Sequence, residues 1–291
     1  MKYIEVEDII NKEVFGNSFS IETIVDIAKN YKRFFSEYRI VSFKNKLIQN
    51  KTQSIEIKFG YAMEKIVEFF LIENGFEKIN NKFKDLDSNK DYAIDQFFQN
   101  ENSIYIVEQK MRDDHDSSKK VGQFINFQSK VKYLSEYRTE KAKYAYIYFI
   151  DEQHKKNKKY YNEQIELLKE QYKGVNIDIF YGITFFQKIK KSKEWEDLFH
   201  HIKMYKMKFE DSDIYGADYF KHVSDSDIKL AANDKKFIRS LEKLLINEIS
   251  RKEIYDTFFI NNSFLSRLLN YIKSDIIENI ITEGTSKNEE K

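Results

Sequence analysis

Residues Asp91–Lys110 read DYAIDQFFQNENSIYIVEQK, and the reading of this stretch decides the fold around it. Two β-prone runs, Tyr92–Phe98 and Ile104–Met111, flank the polar cluster Gln99–Ser103, the pattern of a β-hairpin. A two-residue loop at Glu101–Asn102 pairs Asn100 with Ser103 and, counting back along both strands, sets Asp95 opposite Glu108. Facing residues on antiparallel strands project to one side of the sheet, with Cβ atoms roughly 4.5–5.5 Å apart. Two carboxylates placed that way repel unless a cation lies between them. Lys110, two residues past Glu108, shares their face by the period of two, as do Ile104 and Ile106. The hairpin therefore presents two acids and one amine as a cluster, a pattern suited to a metal-dependent hydrolytic site.

Working outward, the chain has 291 residues, 41% hydrophobic and 33% charged, enough to bury a sizeable core. No apolar run approaches the roughly 20 residues of a membrane span. The N-terminal MKYIEVEDII is too acidic for a secretory signal, so a cytoplasmic protein is expected. The absence of cysteine excludes thiol catalysis, disulfides and thiolate metal sites. Asp, Glu and His remain as ligands, which favours hard cations over zinc. A net charge of +1 is the balance of 49 basic and 48 acidic residues, so any basic surface must be a local patch. The absence of proline and the richness in Lys, Ile, Asn, Phe and Tyr fit an AT-rich bacterial genome.

Upstream, Ser20–Glu37 has apolar residues at helical spacing, and Gly60–Gly75 is a stronger helix. Met63, Ile66, Val67, Phe70 and Leu71 form its stripe, and Gly75 suits the position just past its end. Glu64 borders that stripe, either an ordinary surface glutamate or one partly buried beside whatever the helix packs on. Downstream, the spacing predicts a helix over Ser118–Tyr137, a buried strand at Tyr144–Ile150, a helix near Asn162–Gln171 and a strand at Val175–Ile183. Strand, helix, strand at this spacing makes a βαβ unit and hence a mixed sheet. Short helices are expected at Thr184–Ile189 and Glu194–Met204. From Asp225 the pattern is helical through Lys235–Ile249, Arg251–Phe259 and Ser263–Ile281. The Asn261–Asn262 turn gives the last two a helix-turn-helix-like arrangement, which more often marks ordinary packed helices than DNA reading. A frayed tail, 283–291, follows.

With Asp95, Glu108 and Lys110 in the pattern D-x12-E-x-K, the chain resembles the PD-(D/E)XK nuclease superfamily, although Ile94 stands where the motif has proline. The resemblance covers about Gly60 to Ile183. It implies an α/β fold with a mixed sheet of restriction-endonuclease-like type flanked by helices, with helical additions at both ends. The whole chain then reads as one nuclease domain, with 1–55 a helical N-terminal part, 56–205 the core and 206–282 a helical C-terminal part. By resemblance, Asp95, Glu108 and the Gln109 carbonyl would hold Mg2+, Lys110 would position or activate the attacking water, and Glu64 would reach the metal through water.

The following segment, Met111–Lys120, is read three ways: a loop at the nucleic-acid groove, a second metal site at Asp113, Asp114, His115 and Asp116, or a solvated turn. In the first reading Arg112 addresses guanine, Asp113, Asp114 and Asp116 accept from cytosine, Lys119 and Lys120 take phosphates, and Gln123 faces the same groove, while His115, in the same DNA-facing segment, is either a general base or a surface residue in ion pairs. The basic clusters Lys155–Lys159, Lys188–Lys193 and Lys203–Lys208 suit a phosphate-contacting rim. Size and resemblance together imply a Type II restriction endonuclease acting as a homodimer on double-stranded DNA, with a cognate DNA methyltransferase as its functional partner. A structure-specific or repair nuclease, or a non-catalytic DNA-binding protein, is the alternative.

Overall fold

The hairpin forms in the register that its turn dictates. In a computed structural model, which describes residues 2–16, 19–85, 89–210, 224–258 and 264–272, β4 (Gln96–Gln99) and β5 (Ser103–Lys110) are antiparallel. Phe97 pairs with Ile106 and Gln99 with Ile104. The Asn100 side chain accepts from the backbone N–H groups of Asn102 and Ser103 at 3.1 and 2.9 Å, which fixes the two-residue turn. Gln96↔Val107 is the last ladder pair, so Asp95 and Glu108 face each other one step beyond it.

One expectation is corrected here. Tyr92–Phe98 reads as a single alternating strand but breaks at Ile94–Asp95. Ile94 is clamped to Asn81 by two bonds of 2.9 Å, one to each of its backbone polar groups. Its predecessors form β3 (Lys90–Ala93), which pairs with β2 (Lys82–Asp85) in a separate two-stranded sheet. Stacking of Phe83 on Tyr92 and Tyr133 helps seat that ribbon. The short β1 (Glu77–Lys78) pairs with β4 instead. On the other side, β5 runs parallel to β6 (Ala142–Phe149), and β6 parallel to β7 (Val175–Tyr181). The result is a five-stranded mixed sheet in the order β1-β4-β5-β6-β7, flanked by helices, which is the expected fold class.

The helices in chain order are α1 (Tyr3–Ile10), α2 (Phe19–Lys29), α3 (Tyr31–Phe34), α4 (Phe43–Glu73), α5 (Ser117–Glu136), α6 (Lys158–Gln171), α7 (Ile183–Lys188), α8 (Ser192–Glu210), α9 (Asp225–Asn233), α10 (Lys235–Ile246), α11 (Glu248–Phe258) and α12 (Phe264–Leu268). The Ser20–Glu37 helix is thus split at Asn30, and the Gly60–Gly75 helix starts far earlier, at Phe43. The Asn261–Asn262 turn and the 283–291 tail lie outside the described residues.

Two compact units divide the chain, one of Met1–Ile10 and Phe59–Met204, the other of Asn11–Lys58 and Tyr205–Lys291. The first holds the sheet. Ile104, Ile106, Ala145, Ile147 and Phe149 alternate onto one face and pack with Phe124, Phe127, Val131 and Leu134 of α5 and Ile165 and Leu168 of α6. The opposite face, with Phe98, Tyr105, Tyr146 and Tyr148, carries ring contacts to Phe76 and to Phe185 and Phe186 of α7. Phe70 of α4 meets Phe186 edge-on, and the predicted stripe from Met63 to Leu71 is buried. That helix stops where Gly75 takes a φ of +84°. The Phe76 N–H then reaches the Leu71 carbonyl and the Gly75 N–H the Ile72 carbonyl, a Schellman motif that requires the left-handed glycine. The second unit has its own core, in which Ile24, Ile27, Leu47, Ile228, Leu241, Leu245, Ile254, Phe258 and Leu265 are buried together.

Candidate active site

Beyond the end of the β4–β5 ladder, the chain turns its polar groups into one cluster. The Gln109 N–H, which another ladder pair would have engaged, donates instead to Asp95 Oδ2 at 2.9 Å. Lys110 Nζ lies 2.7 Å from Asp95 Oδ2 and 2.7 Å from Glu108 Oε1, so the two acids and the amine predicted to share a face meet at one ammonium. The repulsion implied by the facing acids is relieved by a cation from the same strand.

A second amine completes the cluster. Lys130 of α5, only 4% exposed, ion-pairs through Nζ with Glu108 Oε2 and stands 4.0 Å from Asp95 Oδ1. Sequence reading missed it, because a lysine between Phe127 and Leu134 reads as part of a solvated face. The available signal was its spacing, one turn from both of those buried residues on the stripe that covers Glu108. Gln96, also unremarked in the sequence, is buried on the opposite face of the sheet, where its Nε2 donates to the Glu64 carbonyl at 2.7 Å. That bond ties α4 to the hairpin next to the acids.

Electrostatics follow from this packing. Burial opposes the charge of Glu108, but the Lys110 and Lys130 ammoniums outweigh it and hold the carboxyl below its usual range. Burial, then the Glu108 charge, raise Asp95. Burial alone would lower Lys110, but the two carboxylates overcome it and keep the amine firmly protonated. Glu64 is pushed up to about 7, chiefly by burial and then by the Asp95 charge, so it belongs electrostatically to the same cluster.

Residues 72–206 match the model of the family described as HinfI, Type II restriction endonuclease. This stretch is similar to the Type II restriction endonucleases, in keeping with the PD-(D/E)XK type. It takes in the hairpin, the polar segment after it and Lys130, and leaves Glu64 outside. Searches among curated proteins and among solved structures each found no match.

As a metal site, the restriction-endonuclease core offers two carboxylates and a main-chain carbonyl, all hard oxygen donors, and no group of three His, Cys, Asp or Glu that could hold an ion stands together among the described residues. The observation that favours a fit is that Asp95 and Glu108 already converge on one cationic nitrogen. The acids of Asp113–Asp116 form no such group. Asp113 is fully buried. Its carboxylate accepts from the Asn157 backbone and side chain at 2.9 Å each and from the Tyr181 hydroxyl at 3.0 Å. It therefore pins the loop, and its burial withdraws it from base contact and from a second metal site alike.

The other residues of the segment are open to solvent to different degrees. Asp114 is exposed, and Arg112 and His115 are half-buried. His115 lends its carbonyl to Asn157 Nδ2 at 3.1 Å. Asp116 caps α5 by accepting from the Lys119 N–H at 2.9 Å, a bond that also lowers its carboxyl pKa. Lys119 is exposed, while Lys120 Nζ lies 4.7 Å above the Tyr160 ring. Gln123 accepts from the Tyr161 hydroxyl at 2.9 Å. The Lys155–Lys159 cluster runs beside this segment, tied to it by the Asp113↔Lys155 bridge and by Lys156 N–H to the Asp113 carbonyl at 3.2 Å. Among the described residues, no helix is long and apolar enough to cross a membrane.

Proposed function

We propose that the protein cleaves double-stranded DNA at a short specific site by magnesium-dependent hydrolysis, leaving 5′-phosphates. The observation that carries this reading is the convergence of Asp95 and Glu108 on one cation, 2.7 Å from each, at the end of a strand. Asp95 Oδ, Glu108 Oε and the Gln109 carbonyl are the groups that would hold the ion, with Glu64 reaching it through water. Bound there, magnesium would lower the pKa of water and offset charge growing on the phosphate.

The protein's own residues do the rest. With the carboxylates engaged by an ion, the Lys110 ammonium would be free to orient the water or the scissile phosphate. Water oxygen attacks phosphorus and gives up a proton to solvent as the bond to the 3′ oxygen breaks, and the leaving oxygen takes a proton from solvent. Glu64, with its carboxyl near neutrality, is suited to exchange a proton with the water it holds. Lys119, Lys120 and the Lys155–Lys159 cluster would take phosphates, and Arg112, Asp114, His115 and Asp116 would supply base contacts, with Gln123 lining the groove. A homodimer would act on a two-fold site, in a bacterial cytoplasm where a cognate methyltransferase protects the host DNA.

Incubation with phage DNA and magnesium tests the reading directly. Discrete bands support it. A smear would indicate a nuclease without sequence choice, and an uncut, shifted complex a binding protein. Glu108→Ala should reduce cutting by about three orders of magnitude or more, because several kcal/mol of charge stabilisation depend on the ion it holds. DNA binding should persist, measured by gel shift, and Glu108→Gln should behave alike with less disturbance of packing. Cutting at the normal rate in both variants would remove the site assignment.

A further inference from the structure

We propose that Lys130 is a built-in counter-ion that holds Glu108 charged and in place when no divalent cation is bound, and that it thereby lowers the cation affinity of the DNA-free protein. The inference deepens the proposed metal-dependent function and rests on it for the identity of the cation. Glu108 is 5% exposed, and a carboxylate so buried is stable only with compensation. Its two oxygens are divided between two ammoniums, Oε1 to Lys110 and Oε2 to Lys130.

The two amines differ in freedom. The Lys110 side chain is 28% exposed and lies at the end of the central strand β5, beyond its last pair with β4, whereas the Lys130 side chain is 6% exposed and is carried by the core face of α5. Phe127, Val131 and Leu134 around it are fully buried. An arriving ion can therefore displace Lys110 outward, but Lys130 has nowhere to withdraw. It keeps Glu108 Oε2 and leaves Oε1 for the ion. Its fixed positive charge also stands 4.0 Å from Asp95 Oδ1, close enough to oppose a divalent ion shared by the same acids. Lys130 is thus a positioning residue, acting on the ion through Glu108.

The test uses the full chain and Mn2+ or Mg2+ as the probe, read by thermal unfolding in chelator and in saturating cation, and by calorimetric titration without DNA. In Lys130→Met, the unfolding temperature should fall in chelator and recover on adding cation, so that the cation-induced rise exceeds that of the wild type. Cation affinity should increase about tenfold or more. Lys130→Arg, which keeps the charge, should respond like the wild type. In chelator, the double variant Lys130→Met with Glu108→Gln should regain the stability that Lys130→Met loses, since neither charge is then left alone. A lysine that only fills space predicts a loss that neither cation nor Glu108→Gln repairs, and that result would overturn the proposal. If Lys130→Met does not fold, failure of the double variant to fold would likewise overturn it. A wild type that ignores both cations would refute the metal reading itself, and the chelator arm with the double variant then still decides the counter-ion role.

Discussion

Glu64 shows how a single residue couples the helix to the acids. Its carboxyl is raised to about 7 by burial and by the charge on Asp95, against an unfolded value of about 4.3. A carboxyl raised in this way binds its proton more tightly in the folded state. The stability it confers is therefore fully present below the unfolded value and is lost as the pH rises through about 7. In metal-free protein, Glu64→Gln removes the charge and should flatten this loss. The variant should unfold at a higher temperature than the wild type at about pH 8, with the difference shrinking towards about pH 4. The gain should be modest because Glu64 is only half-buried and water screens it. Melting curves in chelator at several pH values would check it. A gap that widens as the pH falls would show that Glu64 is held as a carboxylate instead. Lys130 was the residue least legible in the sequence. Burial of a lysine depends on which acid lies beneath it, and nothing in the helix pattern names a partner 22 residues away.

At the scale of elements, the hairpin was legible because a two-residue turn fixes a register and the register fixes which side chains meet. The break at Ile94–Asp95 was not, because it depends on Asn81, a residue in a loop whose position only the fold supplies. For the same reason the Met111–Lys120 segment stayed open among three readings until Asn157 and Tyr181 were seen to enclose Asp113. That enclosure makes the segment and the Lys155–Lys159 loop one unit in which the Asp113 carboxylate supplements the backbone ties. Asp113→Ala leaves three donors around an empty site, and buried unsatisfied groups cost about 1–3 kcal/mol each. We expect a stability loss of about 3 kcal/mol or more by urea unfolding, with faster amide hydrogen exchange at Asn157, whose N–H bonds to the Asp113 carboxylate, and, as the loop loosens, at Lys156, whose N–H bonds to the Asp113 carbonyl. Unchanged exchange at those two amides would show that the loops are held together by something else.

For the molecule as a whole, the number of catalytic centres limits what one chain can do. Among the described residues, Asp95, Glu108, Lys110 and Lys130 form one cluster of facing acids and amines, and the proposed cleavage of duplex DNA must break two strands. Two chains per duplex, related by the two-fold axis of the site as proposed, would meet that need with one centre for each strand. Net charge cannot supply the cohesion or the DNA affinity, since it is only +1, so both must come from local surfaces. Two copies should therefore sediment with one duplex carrying the site. A mixed dimer of wild-type and Glu108→Gln chains, purified through different tags, should cut only one strand and convert supercoiled plasmid to the nicked circle. Linear product at the wild-type rate from the mixed dimer would mean that one centre cuts both strands in turn, and the one-centre-per-strand arrangement would have to be abandoned.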